Sequence, residues 1–197
     1  MSLGRIARVT SATVVLAVTA IAARRGYPDW ERRIFATIND APDELAPAAW
    51  LPMQAGSLTA PFAVAAASYR RTRSLDPALA YAGAGFSTWL SAKGVKKMVG
   101  RGRPFDLDPR AQLRLATQTD GSLGYISGHA AVASTVATVM SSGRSAPVAA
   151  GLHALAVGVG ITRIYAGAHL PLDTIGGNAF GILVGELTNL LRERFLR

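Results

Sequence analysis

Apolar residues in this chain fall into six long blocks separated by short polar stretches. The blocks run over Ile6–Ala23, Ala48–Tyr69, Pro77–Val99, Tyr125–Met140, Pro147–Tyr165 and Pro171–Leu191. Each is roughly 16–23 residues long, close to the length of a helix that crosses a bilayer. They are rich in Ala, Gly, Ser and Thr, residues that let helices approach closely. Between the first two blocks, Trp30, Ile34, Phe35 and Ile38 fall near one face of a helix, with Arg32, Arg33 and Asn39 elsewhere. That segment reads either as an amphipathic helix lying at the membrane interface or as a lid packed over a bundle. The pattern predicts an all-α fold: a six-transmembrane-helix bundle in one integral-membrane domain over residues 1–197, with the interfacial helix after the first span. A soluble protein with buried helices is the competing reading. The first block also has the flanks of a signal peptide, with Arg5 and Arg8 ahead of it and Ala20-Ile21-Ala22 near its end.

Composition narrows the class. Half of the residues are hydrophobic and 17% are charged, below the quarter or so usual in soluble domains. The formal net charge is +9. Aromatic residues are sparse and not interleaved with the basic ones, which argues against nucleic acid as the partner. An anionic lipid surface or an anionic substrate fits the charge better. Cysteine is absent, so thiol chemistry and zinc–thiolate sites are excluded. No acidic cluster has metal-ligand spacing, so neither a metal nor a cofactor is expected.

With an inside N-terminus, the inner ends carry Arg5, Arg8, Arg70, Arg71, Arg73, Arg144, Arg192, Arg194 and Arg197. The basic stretch from Lys93 to Arg114 and Arg163 fall outside. This orientation follows the positive-inside rule only if those outer charges serve a function.

Three segments concentrate the unusual polar residues: Lys96 to Pro104, Ser127-Gly128-His129, and Arg163 to Asp173. They lie at the end of the third block, the start of the fourth, and the junction of the fifth and sixth. In an alternating bundle these points emerge on one membrane face, where ionisable residues are costly and usually functional. Lys96, Arg103 and Arg163 supply cationic donors, and guanidinium groups match phosphate oxygens bidentately. Ser127 and Gly128 sit at an expected helix N-terminus, where free N–H groups and the helix dipole favour an anion. His169 and Asp173 are four apart, so the carboxylate can fix the ring tautomer and leave the other nitrogen as a nucleophile. His129 can then protonate a leaving alkoxide. Residue chemistry alone allows the two histidines to exchange roles, although only His169 has a carboxylate nearby in sequence. His153 reads as a structural residue of the bundle, Glu186 as one that snorkels toward the inner interface or bonds within the bundle, and Asp106, Asp108 and Asp120 as loop residues. Lys93, Lys97 and Arg101 read as supporting or headgroup contacts.

These segments resemble the signature of the type 2 phosphatidic acid phosphatase superfamily, which includes vanadium haloperoxidases. The family pattern K-x6-R-P is complete here as Lys96 through Arg103-Pro104. P-S-G-H appears with Ile126 in place of proline, and S-R-x5-H-x3-D with Thr162 in place of serine. The resemblance implies that His169 attacks phosphorus and forms a phosphohistidine, that Asp173 orients it, and that His129 protonates the leaving group. It implies that Lys96, Arg103, Ser127, Gly128 and Arg163 hold the phosphate. The expected activity is a membrane lipid phosphatase acting on a polyprenyl phosphate or diphosphate, phosphatidic acid or phosphatidylglycerol phosphate. A phosphotransferase on the same scaffold and a soluble acid phosphatase or haloperoxidase are the alternatives. The expected location is the cell membrane, with the site on the extracytoplasmic face. The oligomeric state is not legible.

Overall fold

The computed structural model describes residues 2–115 and 122–195. Asp120 and Arg197 lie outside them. Helices α1 (Leu3–Arg24) and α2 (Asp29–Asn39) lead through a short 3-10 turn (Asp43–Leu45) into α3 (Ala46–Gln54), α4 (Thr59–Thr72) and α5 (Leu75–Val99). A four-residue turn of helix, α6 (Pro104–Leu107), precedes α7 (Gly128–Ser141), α8 (Ala146–Tyr165) and α9 (Pro171–Phe195). Among the described residues the secondary structure is helical throughout, as the sequence predicts.

Two helices, α1 and α8, are both long and apolar enough to cross a bilayer, with mean hydropathies of 1.8 and 1.4. The second apolar block is a correction. It is not one helix but two, α3 and α4, broken over residues 55–58. Pro52 removes a backbone donor inside α3. Gly56 then lies so close to the start of α7 that an added Cβ would sit 2.5 Å from the His129 carbonyl oxygen. The break therefore seats the chain against the segment carrying His129.

Helix α7 is the axis of the bundle, with every residue from Ala130 to Val139 buried. It packs on α5, α8 and α9. Close approach to α9 depends on Gly177, Gly181 and Gly185, spaced four apart on one face. A Cβ at those positions would lie 2.6 Å from the Ser127 carbonyl oxygen, 2.2 Å from that of Ala131 and 2.5 Å from Thr138 Cβ. Hydroxyls fill the remaining contacts: Thr135 Oγ1 lies 2.8 Å from Thr88 Oγ1 and donates toward the Gly181 carbonyl at 3.1 Å. Ser134 donates to Asn178 Oδ1 at 2.6 Å. Helix α1 packs along α9, and Thr19 Oγ1 meets the Tyr125 hydroxyl at 2.9 Å.

At one end of the bundle the charges pair with each other. Arg5 and Arg8 both reach Glu186 (2.9 and 2.6 Å), Arg5 also reaches Glu193, and Arg192 pairs with Asp76. Glu186 thus bonds within the bundle, and half-buried His153 lines a polar cavity beside it. The other end is capped by α2, which packs across α8 and α9. The predicted apolar face of α2 divides. Phe35 packs inward with Ile164 and Leu170, whereas Trp30 and Ile34 face outward. The inward face also carries Glu31 and Asn39, both buried; periodicity had placed Asn39 away from the apolar face.

Candidate active site

The three polar segments converge at the capped end. Lys96, in the last turn of α5, donates through Nζ to the carbonyls of Leu123 and Gly124 at 3.1 and 2.9 Å. Gly100 follows in the left-handed conformation (φ 72°) that ends α5 and turns the chain toward Arg101 and Arg103. Arg103 caps α6: its backbone N–H donates to Asp106 Oδ2 at 2.9 Å, so Asp106 positions an arginine rather than sitting idle in a loop. The Arg103 guanidinium donates to the Ala168 carbonyl at 3.2 Å. Arg163, in the last turn of α8, lies 3.0 Å from Met53 Sδ. Among the described residues the side-chain donors of these three cations meet backbone oxygens and a sulfur. The Nε atoms of Arg103 and Arg163 are buried with no hydrogen-bond partner among the described residues. A buried donor left unpaired costs free energy, which an anion within reach would offset.

Ser127 is the N-cap of α7, with Oγ accepting from the Ala130 N–H at 3.5 Å. Its own N–H donates to the Asp173 carbonyl at 2.8 Å, which ties the start of α7 to the first turn of α9. Gly128 and His129 are the first residues of α7, where backbone N–H groups have no intrahelical acceptor. No side chain stands at Gly128, and a Cβ there would meet nothing within 4 Å. Ile126, where the family pattern has proline, is fully buried and packs in the core with Tyr125 and Leu172.

His169 lies in the turn between α8 and α9 and is 3% exposed. Its Nδ1 stands 3.5 Å from Asp173 Oδ2, a long contact of the kind that tightens when a substrate docks. Burial holds the His169 imidazole neutral to well below its ordinary range, and Lys96, Arg163, Arg103 and His129 add to that shift. Asp173 is wholly buried. Its Oδ2 accepts from the Leu170 N–H at 2.9 Å, and its Oδ1 accepts from Arg101 at 3.2 Å.

Sequence reasoning missed one acid here and undervalued one arginine. Arg101 is buried, and its two terminal nitrogens reach Glu31 Oε1 and Oε2 at 3.0 and 2.5 Å. Glu31 Oε1 also accepts from the Leu172 N–H at 2.9 Å. Burial works against the Arg101 charge, but the bonds to Glu31 and the charge of Asp173 outweigh it and raise its pKa. A second pair, Asn39 and Arg114, staples the neighbouring loops. Asn39 exchanges bonds with the Gln112 backbone and donates to the Tyr165 carbonyl, while Arg114 donates to the Asn39 carbonyl at 2.5 Å and to Asp43. The only sequence signals for these residues were an isolated acid and amide on α2 and basic residues inside a polar stretch. Lys93 rests on the Trp89 ring, 3.4 Å from its centroid, and Lys97 is exposed, so neither joins the cluster. Asp108 pairs with Arg110. Among the described residues no group of three or more His, Asp or Glu is placed to hold a metal ion.

Three cations, the N-terminus of α7 and a buried histidine–aspartate pair thus come together at one end of a helical bundle. The chain belongs to the PAP2 superfamily, whose profile matches residues 74–197. Its fold is similar to that of the first transmembrane PAP2 type phosphatidylglycerolphosphate phosphatase from Bacillus subtilis. That structure matches with a TM-score of 0.74 at 21% identity, over 95% of this chain and 97% of that one. Aquifex aeolicus LpxE is similar over 80% of this chain and 93% of its own, with a TM-score of 0.68 and 28% identity. No curated protein matches the chain.

Proposed function

We propose that this protein is a multi-pass membrane phosphatase that hydrolyses a lipid phosphate through a phosphohistidine at His169. The observation that carries the reading is the pair of buried Nε donors of Arg103 and Arg163, unpartnered among the described residues, beside Lys96, His169 and the N-terminus of α7. A phosphoryl group supplies the oxygens those donors lack, and its equatorial charge in the transition state is what such a pocket stabilises best. The ring nitrogen of His169 away from Asp173 attacks phosphorus. The P–O bond to the lipid breaks, and His129 gives its proton to the departing alkoxide. Water, deprotonated by His129, then attacks the phosphohistidine and releases phosphate, which restores both histidines. Asp173 stabilises the charged His169 ring throughout. In this reading no step runs through a metal.

The six helical blocks, with α3 and α4 counted as one broken passage, form the transmembrane bundle. The end opposite the site carries Arg5, Arg8, Arg70, Arg71, Arg73, Arg144, Arg192 and Arg194, which favours a cytoplasmic position for that end and an extracytoplasmic site. Membership in the PAP2 superfamily and a fold like that of a transmembrane PAP2 type phosphatase support the membrane bundle. The substrate candidates are polyprenyl phosphate or diphosphate, phosphatidic acid and phosphatidylglycerol phosphate.

The test is a phosphate-release screen of the detergent-purified protein across these lipids, with His169→Ala beside it. Activity of the wild type on at least one lipid phosphate, its loss in the variant, inhibition by vanadate and indifference to EDTA are expected. Normal release by His169→Ala would refute the nucleophile. Loss on chelation that Mg²⁺ restores would refute the metal-free mechanism. Transfer to an added alcohol with little free phosphate would make the protein a phosphotransferase.

A further inference from the structure

Glu31 and Arg101 sit outside the phosphate-holding set, yet they are among the most deeply buried charges in the molecule, with side chains 0% and 2% exposed. Arg101 bridges two carboxylates. One terminal nitrogen serves both Glu31 Oε1 (3.0 Å) and Asp173 Oδ1 (3.2 Å), and the other serves Glu31 Oε2 and the Gly26 carbonyl. Glu31 in turn holds the Leu172 N–H, and Asp173 holds the Leu170 N–H. The backbone just after His169 is therefore pinned at Leu170 and Leu172, by Asp173 and by the residue that controls the partner of Asp173. Three elements meet in this arrangement: α2, the segment between α5 and α6, and the first turn of α9.

The charges explain why both residues are needed. Asp173 must remain ionised in a wholly buried place to orient His169, and Arg101 supplies the counter-charge. Arg101 unopposed would draw fully on Asp173 and weaken its hold on the His169 ring. Glu31 takes two of the guanidinium's bonds and leaves Asp173 with one, so Asp173 Oδ2 stays turned toward His169. The fork of a guanidinium is required to serve both Glu31 oxygens, Asp173 Oδ1 and the Gly26 carbonyl together, because an ammonium offers three donors at a single point.

We propose that Glu31 and Arg101 are positioning residues for the His169–Asp173 pair, which makes α2 a working part of the site rather than a cover. The proposal rests on the phosphatase reading for its kinetic consequences but not for its structural ones. Neither side chain is bonded to Lys96, Arg103 or Arg163 among the described residues. Their loss should therefore slow the chemical step and leave phosphate affinity nearly intact.

The experiment uses the full chain in detergent, with Glu31→Gln, Arg101→Lys, Glu31→Asp and the double variant Glu31→Gln/Arg101→Met. Glu31→Gln and Arg101→Lys are expected to lower kcat by about tenfold or more, with KM and inhibition by orthophosphate changed by about twofold or less. Glu31→Asp, which keeps the carboxylate, should recover part of the loss. The double variant should cost little more than either single one, because the residues act as one unit. Isotope-labelled histidine NMR supplies a readout that needs no turnover. The chain has three histidines, so His169 can be assigned by replacement. In the wild type its Nδ1 should carry the proton, and in Glu31→Gln and Arg101→Lys the tautomers should mix. Unchanged kcat, an effect confined to KM, or a fall in activity that only tracks the folded fraction would overturn the proposal. An unaltered His169 spectrum in both variants would also overturn it. If the wild type releases phosphate from none of the lipids, the phosphatase reading fails, while the spectrum still decides whether the brace orients His169.

Discussion

Replacing Arg103 by lysine separates the two things an arginine can bring to this pocket, charge and geometry. The side chain arrives at the site already committed. Its backbone N–H is held by Asp106, one terminal nitrogen is held by the Ala168 carbonyl, and Nε stands buried without a partner among the described residues. A lysine keeps the positive charge but offers one compact ammonium. It cannot hold the Ala168 carbonyl, next to His169, and also donate where Nε donates. In the proposed mechanism at least one charge-assisted bond to the transferring phosphoryl group is then lost, worth about 1.5–3 kcal/mol. A donor aimed at transition-state charge is worth about 3–4 kcal/mol when removed. A loss near 3 kcal/mol corresponds to roughly a hundredfold in kcat/KM. The assay is phosphate release from a dispersed lipid phosphate at several concentrations, with Arg110→Lys as a control at an exposed arginine that pairs only locally with Asp108. The control should be silent. A value for Arg103→Lys within about threefold of the wild type would show that a point charge suffices, and the geometric argument would fail.

Two further outcomes are expected. His169 is kept neutral by burial well below the ordinary histidine value of 6.5, so the unfolded chain takes up a proton there before the folded one does. Stability should therefore fall as pH drops from 7 toward 5, and thermal unfolding of His169→Asn should show a shallower fall; equal slopes would refute the shift. In the core, a Cβ at Gly181 would lie 2.2 Å from the Ala131 carbonyl oxygen, whereas a Cβ at Gly158 would meet nothing within 4 Å. Gly181→Ala should destabilise by about 1–3 kcal/mol, and Gly158→Ala should be neutral or stabilise by up to about 1 kcal/mol. Matching melting curves for the two variants would mean that α7 and α9 do not meet as closely as the structure has them.

What the sequence disclosed, and what it hid, divides along a physical line. The start of α7 was legible because an N-cap serine followed by glycine announces itself locally, and α7 does begin at Gly128. The convergence of Lys96, Arg103, Ser127, Arg163 and His169 was legible because each lies at or just beyond a helix end, and alternation of helices puts those ends together. The second apolar block misled because its average hydropathy hides the break that Pro52 and Gly56 make between α3 and α4. Asn39 misled for a related reason. A side chain that bonds the Gln112 backbone from 73 positions away looks like an ordinary polar face until the loop is in place. Glu31 is the deepest case. Arg101 stands between two cationic motif residues, and the nearby acids Asp106 and Asp108 are engaged by Arg103 and Arg110, so its burial demands a carboxylate from elsewhere. That demand can be read from the chain, but its answer cannot, because any element could supply it. Phosphate constrains the residues that touch it to a few types at fixed spacings, whereas the counter-charge behind them need only be buried and near. Only the packing of α2 across the first turn of α9 decides that it is Glu31, 70 residues from its partner.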